Sequence, residues 1–379
     1  MTDIAKLEKL AKLIRYYILR MTTKAGSGHP TSSLSAADIM TALFFSKLRF
    51  DLKNPQNPAN DRVIFSKGHA SPLLYALFAV AGELTEKELD SYRQFESPLE
   101  GHPTPNFKFA EVATGSLGQG LSVGVGMAFA MKSGYQLPTT NYSLPKVYVL
   151  MGDSEVSEGS VWEAMELASY YQLGNLVGII DVNRLGQSGE TMLGWDTETY
   201  KKRAEAFGWQ AHVVDGHDFG QILKAFDSIP SDSEKPQMII AKTIKGKGVS
   251  FLENKEGWHG KALGKEDYEK AVKELGEVDK SARGEIASPV SSIKYQVLSK
   301  NTKYQIPNTK YQLRDMVATR KAYGEALVKL GAQNPSVVVL DAETKNSTYS
   351  EMFKEKFPER FFECGVFYSP NLKFRPLLV

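Results

Sequence analysis

Five of the six histidines in this sequence adjoin a glycine, as Gly28-His29, Gly68-His69, Gly101-His102, Gly216-His217 and His259-Gly260, and Pro30 and Pro103 follow two of them. Glycine permits backbone angles and close approach denied to other residues, while imidazole is the side chain best suited to moving protons near neutral pH. Several loops that each present an imidazole suit a small polar ligand rich in hydroxyls or phosphate. One such histidine alone is an ordinary turn residue; the group is read as a site.

The elements that must position these loops are legible between residues 146 and 183. An apolar run from Lys146 to Asp153, a helical stretch from Ser160 to Tyr171 and a second apolar run from Leu176 to Asn183 read as strand, helix, strand. Adjacent parallel strands bring the loops at their carboxyl ends together, so Asp153 and Asn183 face one small volume. An aspartate, an asparagine and a backbone carbonyl suit a hard cation, Mg²⁺ or Ca²⁺, that also binds phosphate oxygens. Equally, Asp153 is placed to cap the helix that follows.

Two further stretches carry glycine. Thr114 to Gly120 leads into a small-residue helix from Leu121 to Met131, leaving backbone N–H groups open to a polar ligand. No clear strand precedes it and no acidic residue follows at dinucleotide spacing, so a nicotinamide cofactor is not expected. Ala241 to Gly248 follows a strand and is lysine-rich. It reads either as a phosphate-reaching loop or as a solvated basic loop.

The alternation continues with strands at Gln210 to Val214 and Met238 to Lys242, a helix from Gln221 to Phe226 between them, and a helix from Lys265 to Leu275. This predicts an α/β fold with a mostly parallel sheet flanked by helices. Residues 1–275 form the expected first domain. Residues 276–312 lose hydrophobic periodicity and read as a linker. Residues 313–364 begin a second, incomplete α/β domain, with a helix from Thr319 to Leu330 and a strand from Ser336 to Asp341, and residues 365–379 form a tail of different character.

Composition narrows the partner. The 379 residues are 42% hydrophobic and 24% charged, ordinary for a globular protein, and 46 basic against 44 acidic residues leave a net charge of +2. That gives no electrostatic footprint for nucleic acid. Ile4 to Met21 reads as an amphipathic helix, and Asp3 and Glu8 argue against a targeting segment. No apolar window is long enough to span a membrane, so no membrane partner is expected. The single cysteine, Cys364, fits a reducing compartment, and the protein is expected in the cytoplasm.

Taken together, the motifs resemble the transketolase family of thiamine diphosphate enzymes. The resemblance runs in order through the stretches at Ser27 to Pro30, Ser66 to His69, Glu100 to Pro103, Thr114 to Gly120, Gly152 and Asp153, Asn183 to Gln187, Trp258 to Gly260 and Ala318 to Ala322. It implies a thiamine diphosphate-binding fold. Asp153, Asn183 and the Leu185 carbonyl would hold Mg²⁺ on the cofactor diphosphate. Ser32, His69, Gly115, Ser116, Leu117, Ser154, Asn183, Lys242 and His259 would contact the cofactor. His29, His69, His102 and His259 would line the catalytic channel. His29, Ser32, His259, Arg320 and Ser347 would meet the sugar phosphate, His217 and His212 being left as structural. The implied reaction moves a two-carbon ketol unit from a ketose phosphate such as xylulose 5-phosphate to an aldose phosphate such as ribose 5-phosphate, in the pentose phosphate pathway. The cofactor carries the hard chemistry. A homodimer is implied, with the cofactor between the first domain of one subunit and the second domain of the other.

Two departures stand out. Ser154 occupies the place where the family has a second glycine. After Cys364 the sequence leaves the family pattern, so that Tyr368 falls where the family has a glutamate for the cofactor's aminopyrimidine ring; loss of such an acid–base partner costs about 10² to 10⁴ in rate. The expectation is a truncated or frameshifted chain with low or no activity alone. Alternatives are a non-catalytic thiamine diphosphate-binding protein, or one chain of a split enzyme completed by a partner chain.

Overall fold

The structure is a computed structural model that describes residues 3–134, 144–289, 317–341 and 344–363. The chain divides into two compact units, one within residues 1–293 and one within residues 294–370.

In the first unit the helices are α1 (Ile4–Ala25), α2 (Pro30–Ser35), α3 (Ala37–Ser46), α4 (Ser71–Val80), α5 (Glu86–Leu89), α6 (Gln119–Gly134), α7 (Gly159–Tyr170), α8 (Thr197–Ala206), α9 (Phe219–Asp227) and α10 (Lys265–Leu275). The strands are β1 (Arg62–Phe65), β2 (Val147–Gly152), β3 (Leu176–Val182), β4 (Gln210–Asp215) and β5 (Gln237–Lys242). Helix α1 forms where the apolar spacing requires it: Leu7, Leu10, Ala11, Ile14, Tyr17 and Ile18 are buried, the Asp3 side chain accepts from the Lys6 N–H, and Gly26 turns left-handed to end the helix. It runs four residues beyond the expected Met21.

The five strands among the described residues of this unit pair in parallel in the order β1-β2-β3-β5-β4. Strands β2 and β3 are wholly buried, as near-continuous apolar runs covered on both faces should be. On one face Tyr148, Leu150, Val177, Ile179 and Ile239 join a large core with α1, α3, α4 and α9. On the other, Gly124 of α6 lies so close to Val149 that a Cβ there would meet its side chain. Parallel registry places the strand ends Phe65, Gly152, Val182, Lys242 and Asp215 along one edge of the sheet. The sequences that follow those ends are the ones that carry chemistry.

Residues 276–289, the first part of the expected linker, pack onto this unit. Phe50 N donates to Ala287 O at 2.7 Å and Gly284 N to Val80 O at 3.1 Å. Those backbone bonds replace the missing hydrophobic periodicity as the reason the segment is ordered. The remainder of that linker, Cys364, Tyr368 and the tail lie outside the described residues.

The second unit contains α11 (Thr319–Gln333), β6 (Val339–Asp341), α12 (Lys345–Thr348), α13 (Glu351–Lys356) and β7 (Phe361–Glu363), with β6 and β7 parallel. Its strand is shorter than the expected 336–341 because Asn334 folds residues 334–337 into a turn: its side chain accepts from Ser336 N and its carbonyl from Val337 N. The core is Val339, Phe353 and Phe361, with Leu327, Val337 and Phe357 against it. Among the described residues no helix is long and apolar enough to cross a membrane.

Candidate active site and cofactor cradle

Four histidine loops meet at the carboxyl edge of the sheet. The His29 ring lies 5.1 Å from that of His69, 5.1 Å from His259 and 6.2 Å from His102, and His69 and His259 are 5.2 Å apart. His69 follows β1, whereas His29 opens α2. Gly115 has a φ of +144°, and its backbone passes the His102 ring at a distance where a side chain would press on the imidazole.

These imidazoles are neutral at pH 7. Burial first, then the neighbouring His102, Arg93, Lys245 and Lys67, pushes His29 down to about 4. Burial and then Lys245 push His259 down to about 3. His69 is lowered well below its ordinary value by burial and Lys67, and His102 is lowered by burial and Arg93. The cluster therefore offers neutral donors and acceptors, not stored positive charge. Nδ1 of His29 and Oγ of Ser32 are buried without a hydrogen-bond partner among the described residues, which suits a polar ligand.

Beside the histidines, the strand ends supply the oxygen set. Asp153 and Asn183, 4% and 3% exposed, follow β2 and β3. The Asp153 carboxylate accepts from Ser154 N at 2.9 Å and Arg184 N at 2.6 Å. Burial and then the nearby Asp181 carboxylate raise Asp153 to about 6, a condition that a cation relieves. Asn183 Nδ2 donates to Asp181 Oδ2 at 3.0 Å, which leaves Oδ1 as its acceptor end, where it accepts from Leu185 N at 3.2 Å and has a second lone pair.

The Leu185 carbonyl accepts from the Lys245 ammonium at 2.6 Å, and the same ammonium donates to Gly186 O at 3.1 Å and to His259 Nδ1 at 2.8 Å. A positive group thus stands on the carbonyl expected to bind a metal. All three donors of Lys245 are used, so His259 carries its proton on Nε2. Burial lowers Lys245 to about 8. A cavity of about 240 Å³ opens here, lined among others by Leu185, Gly186, Lys245 and His259.

A buried ion pair underlies the oxygen set. Lys67 Nζ meets Asp181 Oδ2, with side chains 1% and 0% exposed, and also donates to Ser32 O at 3.0 Å. Burial drives Asp181 upward, but the Lys67 charge and hydrogen bonds from Lys67, Ser35 and Thr243 outweigh it and hold the carboxyl below its usual range.

The remaining expected residues divide. Gly115, Ser116, Leu117 and Ser154 are exposed near these loops. Lys242 ends β5 with its side chain exposed and its ammonium 5.4 Å from the centre of the Trp195 ring; Lys245, three residues on, is the lysine in the cluster. His212 bonds Gln237 on the neighbouring strand, at 3.0 Å. Arg320 and Ser347 belong to the second unit, where the Arg320 guanidinium lies 5.5 Å from the centre of the Tyr349 ring. Lys67, Asp181 and Lys245 are the residues that sequence reading passed over. Lys67 and Lys245 lay inside motifs already singled out, and Asp181 two residues before Asn183.

The residues present fit thiamine diphosphate with a divalent cation. The unpartnered His29 and Ser32 atoms and the raised Asp153 carboxyl each call for a polar or cationic partner, and the Leu185 carbonyl already holds a positive group, the Lys245 ammonium. No cluster of three histidine, cysteine or acidic side chains suited to a metal occurs among the described residues; the set here is one carboxylate, one amide and one carbonyl, as a magnesium or calcium site allows.

Comparison with known proteins gives the family and the fold. A profile described as "Transketolase, thiamine diphosphate binding domain" matches residues 7–321, and one described as "Transketolase, pyrimidine binding domain" matches residues 315–367. The chain is 47% identical to transketolase of Homo sapiens over 368 residues, covering 96% of this chain and 57% of that one. It is 46% identical to transketolase-like protein 2 of Mus musculus, covering 95% and 56%. Among solved structures it is similar to transketolase from Campylobacter jejuni, with a TM-score of 0.85 at 32% identity over 96% of this chain and 62% of that one. It is also similar to transketolase from Leishmania mexicana, with a TM-score of 0.80 at 26% identity over 97% and 61%. The chain spans a little over half the length of the curated relatives it matches.

Proposed function

From the premise that this chain belongs to the transketolase family, we propose that the clustered loops bind thiamine diphosphate and Mg²⁺ and serve the transfer of a two-carbon ketol unit between phosphorylated sugars. The observation that carries the proposal is that one lysine, Lys245, joins the cluster of neutral His29, His69 and His259 to the Leu185 carbonyl, in the loop whose backbone N–H groups at Arg184 and Leu185 meet Asp153 and Asn183. Asp153, Asn183 and the Leu185 carbonyl would hold the cation; Ser32, His69, Gly115, Ser116, Leu117, Ser154 and His259 would line the cofactor, with Lys242 at the rim. When bound, thiamine diphosphate supplies the electron sink for breaking and making the carbon–carbon bond.

The chain's own residues bind and move protons. His29 has a buried Nδ1 free to bond a sugar hydroxyl. His259, its Nδ1 occupied by Lys245, presents Nε2–H as a donor. Neutral imidazoles pass a proton without first losing one, and positioned proton transfer is worth about 10²- to 10⁴-fold. Arg320 and Ser347 of the second unit would grip the sugar phosphate, for which a planar guanidinium is suited. Xylulose 5-phosphate as donor and ribose 5-phosphate as acceptor, a place in the pentose phosphate pathway, a cytoplasmic setting and a homodimer all belong to this proposal. So does, in the alternative, a partner chain that completes the site.

The test is titration of the purified 379-residue chain with thiamine diphosphate and Mg²⁺, followed by an assay of ketol transfer from xylulose 5-phosphate to ribose 5-phosphate. Binding with turnover establishes the enzyme. Binding without turnover supports a cofactor-binding chain that a partner completes. Absence of binding at millimolar cofactor rejects the cradle.

A further inference from the structure

The Gly216-His217 loop belongs to the pattern of histidine loops in the sequence but stands outside the ring cluster. Resting on the proposed cofactor site, we infer that His217 is a positioning residue for Lys245: it clamps residues 243–248 so that the lysine ammonium stands at Leu185 and His259.

His217 follows β4, beside the carboxyl end of β5. Ile244 N donates to His217 Nε2 at 2.9 Å. Because Nε2 accepts, the ring proton is on Nδ1, which donates to Asp38 Oδ2 at 2.8 Å. Asp38 of α3 is itself gripped by the Arg15 fork from α1, at 2.8 and 2.6 Å, a bidentate geometry that fixes the carboxylate plane. Burial alone would raise Asp38, yet Arg15 and His217 hold it down to about 2.

The same arginine reaches the far side of the lysine. Arg15 Nε donates to Lys247 O at 3.1 Å. One network, buried at the Arg15–Asp38 fork and part-buried at its ends, therefore holds the chain at Ile244 and at Lys247, and Lys245 lies between. Gly216 permits the approach: its N–H donates to Lys242 O at 2.8 Å, and a Cβ at this residue would stand 2.4 Å from the Thr243 methyl. Asn254 N and Thr31 O bond the loop as well, at Lys245 O and Gly246 N. Those bonds fix its height; the His217 bond fixes the residue immediately before Lys245.

The arrangement is the outer shell of a binding site, in which a second residue orients the one that meets the ligand. Loss of such a partner costs about 10- to 100-fold in affinity. Leucine at 217 keeps bulk but leaves the Ile244 N–H without its acceptor. Glutamine reaches far enough to accept that N–H and to donate toward Asp38.

The experiment is calorimetric titration of thiamine diphosphate with Mg²⁺ into the full chain and its variants, together with amide exchange across residues 241–250. His217→Leu should weaken binding about tenfold and speed exchange at Ile244, and His217→Gln should recover most of both. Lys245→Met should weaken binding without altering exchange, and the double variant should lose no more than Lys245→Met alone. If His217→Leu does not fold, His217→Asn, polar but too short to reach Ile244, takes its place. Equal affinities for wild type and His217→Leu, or losses that add in the double variant, would overturn the inference while leaving the cofactor reading intact. Failure of the wild type to bind overturns the cofactor reading and this inference with it.

Discussion

In the first unit a lysine just past β1 and an aspartate on β3, Lys67 and Asp181, are buried together toward the carboxyl end of a parallel sheet, in a unit whose core extends from Leu7 to Leu275. In the second unit the buried apolar side chains among the described residues are Val339, Phe353 and Phe361, and the arginine expected to grip substrate lies over a tyrosine ring. Burying a charge is costly unless geometry and hydrogen bonds compensate it. A large rigid core supplies that geometry for an ion pair; the second unit also buries a carboxylate, Asp341, but holds it by hydrogen bonds from Thr344 N and Ser350 Oγ. The polar groups proposed to act on the cofactor are accordingly prearranged within the first unit, and Arg320 and Ser347 depend on far less packing.

The largest test of this contrast is Lys67→Met. It leaves Asp181 buried and uncompensated and should cost the first unit about 3–5 kcal/mol, read by urea unfolding. Adding Asp181→Asn should restore part of the loss. A cost below about 1 kcal/mol, the level of an exposed pair, would mean that the pair is not held as described.

Next in size is Phe353→Ala, at about 3 kcal/mol for a fully buried phenylalanine. Exchange should accelerate across α11 and β6 while cofactor affinity stays unchanged. A matching fall in affinity would show that the first unit's cradle leans on the second.

What the sequence made legible follows the same division. The runs 146–153 and 176–183 read as strands because a doubly covered parallel sheet needs continuous apolar sequence. Helix α4 gave no periodic signal because all ten of its residues are buried. Strand β1, only four residues long, sits between polar segments. The Lys67–Asp181 pair is invisible in one dimension: its members lie 114 residues apart and meet only because β1, β2 and β3 are neighbours. Lys242 and Lys245 are indistinguishable by charge. What separates them is that β5 ends at Lys242 with its side chain outward, after which the chain turns so that Lys245 points into the site.

Acid separates the units by a smaller and reversible effect. His29, His69 and His259 have folded pKa values below the ordinary 6.5, so as pH falls through 6.5 the unfolded chain takes up protons that the folded chain refuses. Each such histidine lowers stability with falling pH by at most about 1.4 kcal/mol per pH unit. Asp153, raised to about 6, works in the opposite sense, so the clean measurement is differential. His69→Asn should lose less stability than wild type between pH 7 and pH 5 by thermal unfolding. The second unit, whose sequence contains no histidine, should show no such dependence. Parallel pH profiles for wild type and His69→Asn would contradict the neutral cluster.

The smallest effect expected is at Ser154, where the family pattern has glycine. A glycine there would be required if the backbone were left-handed or if a side chain struck the site. Neither holds: Ser154 has φ −63° and ψ −38°, ordinary right-handed geometry, and its side chain is exposed. Its N–H bonds the Asp153 carboxylate, a contact that glycine preserves. Ser154→Gly should therefore leave thiamine diphosphate affinity unchanged and lower stability by about 0.5–1 kcal/mol through greater freedom of the unfolded chain. Calorimetric titration and urea unfolding read the two quantities separately. Tighter binding by the glycine variant would show that the serine side chain intrudes on the diphosphate, and the first unit would then be less prearranged than its buried charges imply.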